Sequence, residues 1–325
     1  MSEILKRKFN VGVGKETERG TAVTPAIWLK PTSEDYNDEI EPIVTERSMG
    51  VIEDSDDQVV AKVFSAGSIG GEVFDKSIGY FLLGAFGQVA SAGKSGDAGV
   101  YEHSLSVLQS ALHPSLTLEI KRGDIEQLAY PNVVVETLKL SAEVNQYVTF
   151  EAGLRGKKGQ AATSTPGYVA ENYFLAKDIK VKLADNLAGL GAADAIDVKN
   201  VEINFNKNIE DKDVLGNDGP KDFLNKQFAV EGSMEMYFSS VYEKNYALEG
   251  LAKAMRLTLE NTAVTIGTSS HPKLEIDFAK VKFSEAKPSG GNNDLVSISI
   301  SFKGFYSLSD SKSVTGVLTN TQASY

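Results

Sequence analysis

The sequence predicts a mainly β protein of packed antiparallel sheets, on three observations: apolar and polar residues alternate with period two in several segments, helical spacing is confined to two short ones, and the order of these elements recurs in the two halves of the 325-residue chain. The clearest alternation is Val198-Lys199-Asn200-Val201-Glu202-Ile203-Asn204-Phe205. Phe228, Val230, Met234, Met236 and Phe238 likewise share one face, opposite Gln227, Glu231, Glu235 and Tyr237. Leu116–Ile120 and Val296–Phe302 alternate in the same way. Period two with polar partners signifies antiparallel strands that keep one wetter face.

The spacing predicts a first helix through Ile78, Phe81, Leu82, Ala85 and Phe86, with Asp75 as its N-cap. It predicts a second one behind Ser240-Val241-Tyr242-Glu243, which has the spacing of a capping box, with Tyr246, Leu248, Leu251, Ala252 and Met255 as its apolar set. Each follows a long alternating strand and precedes further strands. The two halves also share short matches in one order. Gly67-Ser68-Ile69 matches Gly232-Ser233-Met234, and His113-Pro114 through Ile120 matches His271-Pro272 through Phe278. Lys139-Leu140-Ser141-Ala142 resembles Lys282-Phe283-Ser284-Glu285, and Tyr147–Phe150 resembles Leu295–Ile298, with Gly153 and Gly304 a few residues on. We read this as a tandem duplication. A first domain is expected over 1–158 and a second over 171–325. The polar, small-residue stretch 159–170, closed by Pro166-Gly167, is the expected linker.

With 42% hydrophobic and 24% charged residues the composition is that of a folded globular chain. Cysteine is absent, which excludes disulfides and thiolate metal sites and suits assembly in a reducing cytoplasm. The net charge of −11 argues against a surface that grips nucleic-acid phosphates and is compatible with one that DNA slides past without binding. Residues 1–8 lack the apolar stretch of a secretory signal, and the longest apolar run, Tyr80–Ala90, is about half a bilayer span, so neither export by a cleaved signal nor a membrane location is expected.

Gly12-Val13-Gly14-Lys15-Glu16-Thr17 lacks the first glycine of a phosphate loop and carries Glu16 where the hydroxyl residue belongs, so a turn with subunit contacts is expected there. His103, His113 and His271 lack ligand spacing, and two of them open the His-Pro elements. No Gly-x-Ser-x-Gly elbow is present. The acidic pairs Glu53-Asp54 and Asp56-Asp57 lack the alternate spacing of a calcium loop, and an acidic hairpin tip meeting a neighbouring ring is expected instead. No catalytic, cofactor-binding or metal site is therefore expected, and the chain is read as a non-enzyme.

The opening Gly12–Val23, with Pro25 and Trp28-Leu29, is similar to that of siphophage tail tube proteins, the major tail protein family in its duplicated-domain form. Val51–Ser55, Val214-Leu215-Gly216 and the ending Val317–Tyr325 agree with it. The resemblance implies tandem domains, each of two packed antiparallel sheets with a flanking helix, whose long hairpins join into a ring β-barrel. These hairpins are assigned to 36–74 and 196–239. A duplicated chain implies a trimeric, pseudo-hexameric ring, stacking into a hollow conduit for DNA ejection. Glu41, Glu202, Glu231 and Glu235 are the candidate lumen-facing residues, where acidic groups would repel phosphates. The implied partners are further copies of the chain, a tail terminator, and baseplate and tape-measure proteins, with DNA passing unbound. The implied location is the virion tail, assembled in host cytoplasm. Two other readings stay open: another ring-forming part such as a terminator, baseplate hub or secretion-tube protein, and a phage β-sandwich that binds carbohydrate, which a single tryptophan disfavours.

Overall fold

The computed structural model describes residues 3–238 and 247–325. β1 (Phe9–Lys15), β2 (Ile27–Leu29), β3 (Pro31–Glu34), β4 (Asn37–Val44) and β5 (Gln58–Glu72) lead into α1 (Ile78–Phe86). β6 (Gly87–Gly93), β7 (Tyr101–Val107), β8 (Leu116–Arg122), β9 (Glu126–Glu143), β10 (Thr149–Gly156) and β11 (Gln160–Ala161) follow. Then come β12 (Ile179–Ala184), β13 (Ala195–Ile196), β14 (Val198–Asn206), β15 (Glu210–Lys212), β16 (Asp222–Leu224) and β17 (Ala229–Tyr237). β18 (Ala252–Glu260), β19 (Lys273–Ser289), β20 (Ser297–Gly304) and β21 (Val314–Asn320) complete the chain. The protein is mainly β, and the strand pairings among the described residues are antiparallel.

The same pairing order occurs twice. In the first half it runs β1, β8, β9, β10, β5, β4. In the second it runs β12, β18, β19, β20, β17, β14. The halves are not separate sheets. β9 pairs with β14 from Thr137↔Asn206 to Glu143↔Asn200, and β21 lies between β19 and β7.

Gly67 and Gly232 occupy matching places in this order, on β5 and β17. A side chain at Gly67 would put its Cβ 2.6 Å from Tyr36 Cα, and one at Gly232 would collide with Glu202 O. Each glycine lets the partner strand of its hairpin cross closely, at a site where any Cβ would block it. The His-Pro match does not survive. His113-Pro114 precedes β8, whose counterpart in pairing order is β18, whereas His271-Pro272 precedes β19, the counterpart of β9. The β6–β7 hairpin, interposed between α1 and β8, breaks the simple offset between the halves.

All nine residues of α1 are buried. Its Phe81 ring lies 4.9 Å from Phe150 in the first half, and Phe86 lies 5.3 Å from Phe205 in the second. The helix ends at Gly87 in the left-handed region, as an αL cap requires. The expected N-cap was misplaced. Asp75 is buried and accepts from Asn172 N at 2.9 Å and Asn172 Nδ2 at 2.8 Å, while Ser77 N just before the helix donates to Glu171 Oε1 at 2.8 Å. A carboxylate from a distant segment thus serves the helix start in place of a local cap.

The capping box at Ser240–Glu243 and Tyr246 lie outside the described residues. Ala252 and Met255, assigned to the same helix from their spacing, belong instead to β18. Leu259 and Met255 there pair with Ile179 and Leu183 of β12 on one side and with Leu274 and Phe278 of β19 on the other. Ladders on both edges, with Met255, Leu257 and Leu259 all buried, outweigh a local helical spacing. The stretch 159–170 is not a loose tether, since β11 pairs with β9 and Ser164 N and Oγ donate to Glu119 at 3.1 and 2.7 Å.

The β9–β14 register places Leu138, Leu140 and Ala142 opposite Phe205, Ile203 and Val201 on the buried face. We predict that Phe205→Ala, which empties the junction of α1, β9 and β14, destabilises the chain by about 3–5 kcal/mol in a denaturant titration. It should loosen both halves together, because they share one sheet.

Candidate assembly surfaces

The face opposite the core is polar across the joined sheet. One row reads Gly70, Glu151, Lys139, Asn204, Glu231, Lys303, from β5 through β10, β9, β14 and β17 to β20. The next reads Glu72, Thr149, Ser141, Glu202, Ser233, Ser301. Because side chains alternate strictly, each polar residue here follows from an apolar neighbour turned to the core.

All four candidate lumen residues lie on this one face. Glu202, Glu231 and Glu235 sit in or beside the rows above. Glu41, opposite Lys62, joins them because Asn37, Glu39 and Glu41 share parity with Ala66, Phe64 and Lys62. Each has a lysine beside it. Glu41 is 3.7 Å from Lys62, Glu202 2.8 Å from Lys139, Glu231 2.6 Å from Lys303, and Glu235 2.7 Å from Lys199. The Lys199 hydrogen bond, supported by Ser297, holds the Glu235 carboxyl below its ordinary range. The four candidate glutamates thus each meet a lysine, on a face that also carries hydroxyls and the acidic Glu72 and Glu151. The lysines were missed because pairing register, not strand periodicity, sets which side chains meet.

β4 is exposed at all eight positions and, among the described residues, pairs only with β5. Its hairpin shows Ile40, Ile43, Val44, Val59 and Val60 to solvent. An open edge with that much apolar surface has the chemistry of a strand-pairing surface. In the second half the matching hairpin is already used, since its β14 edge is taken by β9. The loop beyond it also folds back. Lys62 Nζ donates to Asp211 at 2.7 Å and Asp213 at 3.1 Å, Arg155 donates to Asp211 at 3.0 Å, and Val63 N donates to Asp218 O at 2.7 Å.

The opening motif, expected to be a turn with subunit contacts, is instead a buried joint inside the chain. Glu16 accepts from Gly20 N at 2.6 Å, Asn132 N at 2.7 Å, Thr117 Oγ1 at 3.1 Å and Ser115 Oγ. Arg19 donates to Asp222 and to Phe223 O, both at 2.7 Å, tying the motif to the second half. Beside it Lys207, 2% exposed, donates to Gly84 O near the end of α1 at 2.7 Å. An ammonium there suits the negative pole of the helix. Burial, then the Arg19 charge, push the Lys207 amine down to about 7, and burial, then Lys207, push His113 down to about 4.

His103 is held by Ser91 Oγ at 2.7 Å and Asn320 Oδ1 at 3.1 Å, and His271 Nδ1 by Val264 O at 2.7 Å, so both act in packing. Trp28 is buried at 5% exposure and offers no platform to a sugar. Among the described residues no group of three or more His, Asp or Glu is placed to hold a metal, and no helix is long and apolar enough to cross a membrane.

Compared with known proteins, the chain matches the family model described as phage tail tube protein over residues 8–304. No curated protein matches it.

A buried lysine whose folded value lies below its ordinary 10.5 binds fewer protons in the folded state, so stability must rise with pH between about 7 and 10. His113 adds a separate rise between about 4 and 6.5, by the same sign. We predict that Lys207→Met flattens the upper rise and shrinks the lower one without abolishing it, because burial still depresses His113 once the Lys207 charge is gone, as read from denaturation midpoints across pH 4 to 10.

Proposed function

The chain belongs to the phage tail tube protein family, and we propose that three copies close into a ring, the rings stacking into the hollow conduit through which DNA leaves the virion. As a tail tube protein it is a structural component of the virion tail; the ring, its order and its role in ejection are our reading. The observation that carries this reading is the β9–β14 seam. There, one half of the chain adds its hairpin to the sheet of the other half. By pairing order, β19 stands in the second half where β9 stands in the first, and β3–β4 stand where β14 stands. The β18 ladder on β19 stops at Lys282, and the outer edge of β4 has no partner among the described residues. The same seam, repeated between copies, joins β4 of one chain to the far part of β19 in the next. That contact is head-to-tail, and it closes when the rotation per copy divides a full turn.

We take the chain as two tube domains, 1–158 and 171–325, with 159–170 between them. The shared pairing order and the matched glycines support this. Three such chains present six domains. In that ring the polar face, with Glu41, Glu202, Glu231 and Glu235, lines the channel. Hydroxyls and paired charges give DNA phosphates no cluster of free cations to hold. A tail terminator, baseplate and tape-measure proteins are the neighbours at the tube ends and interior, and assembly takes place in the host cytoplasm.

Native mass spectrometry with negative-stain microscopy tests this. We predict hollow rings or tubes, with masses in multiples of three chains. A six-chain minimal ring would overturn the trimer, and a protein that stays monomeric at high concentration would overturn the conduit.

A further inference from the structure

The turn that closes the β4–β5 hairpin, residues 45–57, is a large exposed feature whose hydrogen bonds among the described residues stay within its own hairpin. It holds Glu46, Glu53, Asp54, Asp56 and Asp57 against a single basic residue, Arg47. It also exposes Met49, Val51 and Ile52. Apart from its own closures, Thr45 N to Asp57 O at 3.0 Å and Arg47 to Asp56 at 4.0 Å, it stands clear of the body.

Its counterpart in the second half does not stand clear. The loop beyond β14 lies across the ends of β5 and β10, where Asp211 and Asp213 meet the cations Lys62 and Arg155. β17 and β20 are the matching strands of the second half, and their ends also carry cations. Lys226 precedes β17, as Lys62 lies near the start of β5. Lys303 is the last residue but one of β20, as Arg155 is of β10. Lys226 and Lys303 are more than half exposed and hold only exposed carboxylates of their own chain, Glu210 at 3.1 Å and Glu231 at 2.6 Å, which a docking turn would have to share or displace.

Beside Lys226 opens a cavity of about 480 Å³, lined in part by His113, Lys207, Asn225, Lys226 and Tyr306, with no carboxylate in its wall. Two buried acceptors face no donor among the described residues. His113 donates through Nε2 to Leu108 O at 3.0 Å, which leaves Nδ1 bare, and Asn225 spends its Nδ2 on Ala111 O at 3.1 Å, which leaves Oδ1 bare. The exposed Phe305, Tyr306 and Leu308 beside the cavity supply apolar contact.

We propose that the 45–57 turn of one copy docks on the neighbouring copy in the same ring, across the ends of β17 and β20, with its carboxylates on Lys226 and Lys303. This rests on the ring reading above, and it replaces contact with the next ring as the use of the acidic tip. It makes the joint between chains repeat the joint between halves in both its parts, the strand seam and the charge clamp. Electrostatic complementarity of this kind fixes register and speeds encounter.

The chain has no cysteine, so engineered thiols report cleanly. Ile52→Cys combined with Lys226→Cys, treated with a short bis-maleimide in preparations of single unstacked rings, should convert most monomer to covalent dimer and trimer. Each single variant should stay monomeric on a denaturing gel. Lys226→Glu should lower the yield of Ile52→Cys rings, and Asp54→Lys with Asp56→Lys should restore it. Rings seen by microscopy without the cross-link overturn this contact alone, as does a cross-link that forms only in stacked tubes. Failure to form rings at all removes the ring reading, and this contact with it.

Discussion

The structure depends on one stretch of main-chain pairing, Thr137–Glu143 of β9 against Asn200–Asn206 of β14. Register is the constraint it imposes. In this alignment Leu138, Leu140 and Ala142 meet Phe205, Ile203 and Val201 on the core side, and the polar rows of both halves run on without a break. A slip by one residue would turn every apolar side chain of β14 outward, so the apolar stripe itself guards the alignment. α1 adds a second lock. Wholly buried, it stacks Phe81 on one half and Phe86 on the other, and it receives Lys207 at its far end.

Charge is distributed to serve the same arrangement. The net charge of −11 is softened on the continuous polar face, where lysines answer Glu202, Glu231 and Glu235. Much of it sits at the 45–57 turn, away from the core. Exposed pairs such as Glu231 with Lys303 contribute little to stability, a few tenths of a kcal/mol at most in salt. Their effect is on what the face attracts, and a face of paired charges holds neither phosphate nor cation strongly. Glu16, by contrast, is a charge brought inside and satisfied by backbone and hydroxyl donors, and its removal would leave several buried donors unpaired.

Strand periodicity carried the reading of the sequence a long way. β14, β17, β8 and β20 lie where alternation put them, because half-buried strands leave a period-two trace that needs no partner to be seen, whereas the hairpin bounds 36–74 and 196–239 came from the family resemblance, β4 being exposed along its whole length. The first helix was equally plain. What escaped was non-local. Asp75 looked like an N-cap, since its role toward Asn172 is nearly a hundred residues distant in sequence. Ala252 and Met255 fitted helical spacing until two neighbouring ladders claimed them. Lys207 gave no signal at all, because a lysine beside a strand reads as solvent-facing and only the position of α1 shows where its amine goes. The joint of Glu16 and Arg19 was visible as a motif but not as a joint, and the lysines facing Glu202, Glu231 and Glu235 depended on register.

The most direct test of the seam as the organising contact, within and between chains, is a helical reconstruction of assembled tubes by electron cryo-microscopy that resolves strand neighbours. The account predicts β4 hydrogen-bonded to the far part of β19 of the adjacent chain, continuing the order seen at β9 and β14. A map in which the outer edge of β4 faces solvent, or pairs with a strand other than β19, would contradict it.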